Sequence, residues 1–62
     1  MQLSISAAHL TVGDTVEFDH FVGTVVALTP EMFTVDWFGY PDLETYYRWD
    51  AKEKGFTFTA NI

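Results

Sequence analysis

The residues best suited to bind another molecule lie in the short sequence WFGYPD at 37–42. Phe38, Tyr40 and Pro41 follow one another closely there, and acidic residues flank them. Apolar and aromatic anchors inside a polar rim supply most of the affinity at many small protein interfaces. The predicted partner-binding patch consists of Phe38, Tyr40, Pro41, Asp36, Asp42 and Glu44. The alternative is that this loop folds back on its own domain.

Catalytic and metal-binding chemistry has little support in the sequence. His9 and His20 are its only histidines, and it contains no cysteine. Asp19 precedes His20, but adjacent strand residues point to opposite faces, so the pair is a weak sign of acid–base chemistry. Without a thiolate or a third ligand at suitable spacing, we expect no metal site. We also expect no catalytic residue and no cofactor, because no nucleophile elbow or phosphate-binding glycine loop is present.

The acidic balance of the chain restricts its partners. Nine acidic residues stand against three basic ones, which gives a net charge of −6. Such a chain repels phosphate groups, so we expect no direct binding to nucleic acid or to an acidic membrane surface. A basic protein is the favoured partner. No apolar run approaches the ~20 residues of a membrane span, and Met1–Ile5 lacks signal-peptide features, so we expect a cytoplasmic location.

The 62 residues fit one domain over 1–62, which must rely on its aromatic core because no disulfide can form. Alternating apolar and polar residues predict strands near 14–19, 23–29, 32–38, 44–49 and 56–60. The alternation turns Phe33 and Trp37 inward and Phe38 outward. Gly13 and Asp14 are predicted as a turn before the first strand, residues 19–22 as a loop, and 50–55 as a single helical turn. Residues 1–9 form an N-terminal extension or a short extra strand.

Three short sequences carry a resemblance to a known fold: LTVGDTV at 10–16, GTV at 23–25 and VDW at 35–37. Together they resemble small SH3-like barrels of the Tudor and KOW type, over about residues 10–60. The resemblance implies an all-β, five-stranded SH3-like barrel with one short helical turn before the last strand. Val25, Val26 and Ala27 stand where RNA-binding KOW segments carry basic residues. This fold serves many unrelated functions, so the resemblance predicts architecture more strongly than activity.

The Tudor resemblance also implies a second candidate site. Tudor-type barrels hold methylated lysine or arginine between aromatic rings through cation–π attraction. The corresponding aromatic cage here would consist of Phe18, Phe21, Tyr40 and Tyr46. Nearby acidic residues would add Coulomb attraction for a cation. The alternative is that these rings form the core of a small domain.

We therefore expect a small acidic, non-catalytic protein-binding module that acts as an adaptor or inhibitor of a basic partner protein. We expect a monomer or a weak homodimer. A free-standing barrel of this size would suit a small regulator of a phage or another mobile element. The first alternative is a Tudor-like reader of methylated lysine or arginine. The second is an acidic nucleic-acid mimic that blocks a nucleic-acid-binding protein.

Overall fold

The computed structural model describes residues 2–61, and these form one antiparallel sheet of six strands with two short helices. In chain order the elements are β1 (Gln2–Ile5), a 3₁₀ helix (Ala7–His9), β2 (Thr15–Phe18), β3 (Phe21–Leu28), β4 (Met32–Trp37), β5 (Leu43–Tyr47), α1 (Arg48–Lys54) and β6 (Thr57–Asn61). The strands lie in the order β1-β6-β2-β3-β4-β5. Neither helix within the described range is long and apolar enough to cross a membrane.

The predicted antiparallel β architecture is confirmed, but the count of five strands is wrong. Residues 2–5 form the short extra strand, in which Ser4 pairs with Thr59 and Ile5 pairs with Phe58. The sheet is not closed, because β1 and β5 are its two ends and do not pair with each other. The structure therefore shows a six-stranded open sheet, and closure into an SH3-like barrel is not confirmed.

The predicted loop at 19–22 is also wrong, because the β2–β3 connection is tighter. Phe18 pairs directly with Phe21, so only Asp19 and His20 form the turn. Asp19 has a φ of 57°, a left-handed conformation that Asp tolerates better than most residues. The consequence is that Gly23 lies inside β3, and two phenylalanines face each other across the end of the hairpin.

The predicted turn before β2 is confirmed, and a buried carboxylate holds it together. Gly13 has a φ of 101°. Asp14 is only 4% exposed, and its side chain accepts hydrogen bonds from the Thr11 backbone N–H at 2.7 Å and the Thr11 hydroxyl at 3.1 Å. The Val25 N–H donates to the Asp14 carbonyl at 2.9 Å, which attaches the turn to β3.

The single helical turn predicted at 50–55 is a longer helix. α1 begins at Arg48, so the strand predicted to reach residue 49 ends at Tyr47. A helix that starts at Arg48 buries Ala51 in the core. This packing overrides the preference of Trp49 for a strand. Gly55, with a φ of 89°, ends the helix by donating to the last carbonyls.

The core lies on one face of the sheet and is closed at one end by the helices. Phe33 and Trp37 are buried as predicted, and the residues between them in β4 alternate as expected. The buried apolar side chains are Ala7, Leu10, Val16, Val25, Phe33, Val35, Trp37, Ala51, Phe56 and Phe58. This inner face continues past the core into a solvent-open region beside β5, where the candidate site lies.

Candidate functional site

A cavity of about 330 Å³ opens to solvent on the inner face of the sheet. It is lined by Phe18, Phe21, Trp37, Tyr40, Pro41, Asp42, Glu44 and Tyr46, and we call it the aromatic pocket. All four rings of the predicted cage lie in this lining. So do four of the six residues of the predicted partner-binding patch. The structure thus places most of both predicted sites around one cavity.

The end of the β2–β3 hairpin forms one side of the pocket. Phe18 and Phe21 are cross-strand partners next to the two-residue turn. Phe18 stacks on the core residue Phe56 at a ring distance of 4.5 Å, whereas Phe21 is 42% exposed. The pair therefore links the interior of the domain to the rim of the pocket.

The loop after β4 forms the second side. Gly39 has a φ of 89°, which turns the chain sharply, and the Tyr40 N–H donates to the Trp37 carbonyl at 3.1 Å. This turn brings the ring of Tyr40 to 5.5 Å from the ring of Phe21. Tyr40 remains 53% exposed, so the two rings form a solvent-accessible rim.

Trp37 and Tyr46 form the more buried part of the lining. The Trp37 indole Nε1–H donates to the Tyr46 hydroxyl at 2.9 Å, and the two rings meet edge to face at 6.3 Å. Tyr46 also packs edge to face on Phe56 at 5.1 Å. Buried indole and phenol groups usually need such partners, so this bond fixes both rings.

Two carboxylates give the pocket its charge. Glu44 pairs with Val35 in the β4–β5 ladder, so its side chain lies on the inner face of the sheet, and Asp42 lies in the preceding loop. No lysine or arginine lines the cavity. The ion pairs among residues 2–61 involve neither Asp42 nor Glu44. The charge of the two acids is therefore not compensated.

The predicted partner-binding patch is divided between two surfaces. Phe38 is 88% exposed, as its predicted outward orientation requires, but it does not line the pocket. Asp36 pairs with Leu43 and Thr24 and lies on the outer face, because adjacent strand residues alternate between faces. Phe38 and Asp36 therefore lie outside the aromatic pocket, and their part in partner binding stays a prediction.

The sequence pattern predicted that Trp37 is buried in the core, but it did not predict that Trp37 also lines a pocket. Its place at the end of β4, directly before a loop that contains Gly39, was the available signal. A ring at the end of a buried strand can contact both the interior and the adjoining loop. Trp37 does so here, because it lines the pocket while it is only 7% exposed.

The histidines lie apart from this pocket. His9 Nδ1 is 2.9 Å from the Ser6 hydroxyl. His20 is exposed in the hairpin turn, and its Nε2 is 3.8 Å from an Asp19 carboxylate oxygen. Residues 2–61 contain no group of three or more histidine or acidic side chains placed to hold a metal ion.

No protein-family model, curated protein or solved structure matches this chain. The resemblance to Tudor and KOW barrels remains an expectation from the sequence.

Proposed function

We propose that this chain is a non-catalytic protein-binding module that takes a positively charged side chain of a partner protein into the aromatic pocket. One observation carries the proposal: five aromatic rings and two unpaired carboxylates line the same solvent-open cavity. Such a module would act as an adaptor or inhibitor of its partner.

The chemistry of the lining favours a cation over other occupants. A cation near an aromatic ring gains about 0.5–1 kcal/mol at an exposed site and about 2 kcal/mol when desolvated. Asp42 and Glu44 add Coulomb attraction for a cation and repel an anionic group. At about 330 Å³, the cavity is at the small end of ligand sites, which suits one side chain.

A methylated lysine or arginine is the second candidate occupant, and the number of rings favours it. Methylation removes hydrogen-bond donors from the cation and lowers the cost of its desolvation, so an aromatic lining discriminates in its favour. An unmodified ammonium would instead use its donors on Asp42 and Glu44. Lysine therefore tests hydrogen bonding to the two carboxylates, and trimethyllysine tests the attraction of the aromatic rings for a cation.

The aromatic pocket can be tested by titration with small probes while the two indole N–H signals are followed by NMR. The probes are N-acetyl-lysine methylamide, its trimethylated form, and the neutral analogue in which carbon replaces the trimethylated nitrogen. We expect both cations to shift the Trp37 signal, because its Nε1 donates to Tyr46 inside the lining. Trp49 is an internal control, because it lies on α1 away from this lining.

Two variants complete this test. Tyr40→Ala removes a rim ring and should abolish the Trp37 shift, whereas Phe38→Ala removes an exposed ring outside the pocket and should preserve it. Equal shifts at Trp37 and Trp49 would refute the proposal. So would an equal response to the neutral analogue, because the recognition would then not depend on charge.

A further inference from the structure

The strand that lines the aromatic pocket, β5, is an edge strand of the sheet. β5 pairs with β4 and is the last strand of the sheet formed by the described residues. Its five residues, LETYY, include no lysine or proline, and the β4–β5 register runs from Met32↔Tyr47 to Asp36↔Leu43 without a bulge. Natural sheet edges are usually protected by such features, because unpaired edges attract other strands. β5 has no lysine, proline or bulge, and its inward-pointing charge, Glu44, disfavours an acidic neighbouring strand but attracts a basic one.

The ladder shows which backbone groups of β5 point outward. The Arg48 N–H donates to the Glu31 carbonyl at 3.0 Å, which makes this pair a hydrogen-bonded one. Hydrogen-bonded pairs alternate in an antiparallel ladder, so Tyr46 and Glu44 also bond to β4. The N–H and C=O groups of Leu43, Thr45 and Tyr47 must therefore point away from β4.

A side-chain contact supports this assignment. The Thr34 and Thr45 hydroxyl oxygens lie 2.9 Å apart across the β4–β5 ladder. Side chains approach more closely in the non-hydrogen-bonded pairs of an antiparallel ladder, which is where the alternation places Thr45. Tyr47 is also the N-cap of α1, so its carbonyl accepts the first backbone bond of that helix. The described strands pair β5 with β4 alone, which leaves the outward N–H and C=O groups of Leu43 and Thr45 for an added strand.

The free edge and the aromatic pocket are adjacent. Glu44 and Tyr46 of β5 line the pocket, and an added strand would lie about 4.8 Å beyond them. Every second side chain of that strand would point to the same inner face. A long basic side chain at such a position can reach the carboxylate of Glu44 and the aromatic rings.

The charge of the molecule favours a basic segment over a second copy of this chain. Pairing two copies through β5 with the register centred on Glu44 would place the two Glu44 side chains directly opposite each other. Like charges on adjacent strands destabilise pairing, and each copy has a net charge of −6. A lysine- or arginine-bearing strand would instead gain attraction at the same place.

We propose that the partner protein binds by adding a strand to β5, with a lysine or arginine of that strand inserted in the aromatic pocket. This inference rests on the proposed function and adds the binding mode. The main-chain hydrogen bonds supply affinity that does not depend on sequence, and the pocket selects the charged residue. The partner motif is therefore an extended basic segment rather than a helix or a free cation.

The test compares the peptide TVTKTVT with N-acetyl-lysine methylamide by NMR titration. Backbone pairing should raise the affinity about tenfold over the single residue. Two N-methylated versions of the peptide are compared with it. One carries methyl groups on the backbone amides of the odd-numbered residues, and the other carries them on the backbone amides of the even-numbered residues. In a strand only one set faces β5, so we expect one version to lose the gain in affinity and the other to retain it.

The outcomes separate the two proposals. Equal binding by both N-methylated peptides, or equal loss by both, would overturn strand addition. A Trp37 shift with lysine methylamide but no gain with the peptide would leave the pocket valid and refute the strand. Failure of every cation to shift Trp37 would refute the proposed function itself.

A pair of protein variants provides a second readout. Thr45→Pro removes an outward N–H that the β4–β5 ladder does not use, and it should abolish the gain shown by the peptide. Thr45→Val loses the same hydroxyl but retains the N–H, and it should bind like the parent chain. Binding of lysine methylamide should be unchanged in both, which confirms that the pocket is intact.

Discussion

Trp37 belongs both to the core and to the aromatic pocket. Its ring packs against Phe56 at 6.0 Å and Phe21 at 6.3 Å, and its indole N–H binds the Tyr46 hydroxyl. A change at this residue would therefore alter folding and binding together. The alternation of apolar and polar residues along β4 was sufficient to predict that Trp37 is buried. It does not show which loop residues contact the edge of the indole ring.

Gly23 is the residue that allows Trp37 to lie in this position. A Cβ at Gly23 would be 2.5 Å from Val35 Cγ1 and 2.9 Å from Trp37 Cε3, which is too close for either contact. We expect Gly23→Ala to lower the free energy of unfolding by about 1–3 kcal/mol through overpacking. Urea unfolding, followed by tryptophan fluorescence, measures this loss.

The matched control for Gly23→Ala is Thr24→Val, because Thr24 is the next residue of β3 and lies on the exposed outer face. It should change the unfolding free energy little. A Gly23→Ala protein as stable as the parent chain would show that Trp37 can shift without cost. The pocket lining would then be less rigid than its hydrogen bond suggests.

At the scale of elements, local patterns predicted most strands but not how they pair. β2, β4 and β6 follow the alternation of residues such as Val16, Phe33 and Phe58. The pairing of β1 with β6 joins opposite ends of the chain, and no local pattern encodes it. The sequence also did not predict α1 from its start at Arg48, because its formation depends on the burial of Ala51.

The sequence predicted a turn at Gly13 and Asp14, and the structure shows the contacts that stabilise it. Asp14 is buried and accepts two hydrogen bonds from Thr11. We expect Asp14→Ala to destabilise the fold by about 1–3 kcal/mol, because a backbone N–H and a hydroxyl lose their acceptor. Thermal unfolding followed by circular dichroism measures the effect.

The control for Asp14→Ala is Asp42→Ala, which removes an exposed carboxylate from the loop that lines the pocket. This variant should unfold like the parent chain but bind lysine methylamide more weakly. If both variants unfold at the parent temperature, the buried carboxylate does not stabilise the turn, and the role assigned to Asp14 is wrong.

At the scale of the whole molecule, the basic residues are confined to one element. Arg48, Lys52 and Lys54 all belong to α1. Arg48 donates to the carbonyls of Ala7 at 3.0 Å and Thr29 at 2.7 Å, and Lys54 pairs with Asp50 at 3.0 Å. Asp42 and Glu44 supply the charge of the pocket lining, so the field on that side attracts a basic segment.

This charge distribution makes salt dependence the measurement that separates pocket binding from nucleic-acid mimicry. Binding of TVTKTVT through one exposed cation should weaken about two- to fivefold when the salt concentration rises tenfold, because exposed ion pairs contribute little. A mimic that replaces many phosphate contacts would lose affinity for its basic partner by orders of magnitude over that range. Isothermal titration calorimetry at several salt concentrations distinguishes these slopes. A steep slope for the natural partner would contradict the single-pocket proposal, because one lysine and two carboxylates cannot release that many counterions.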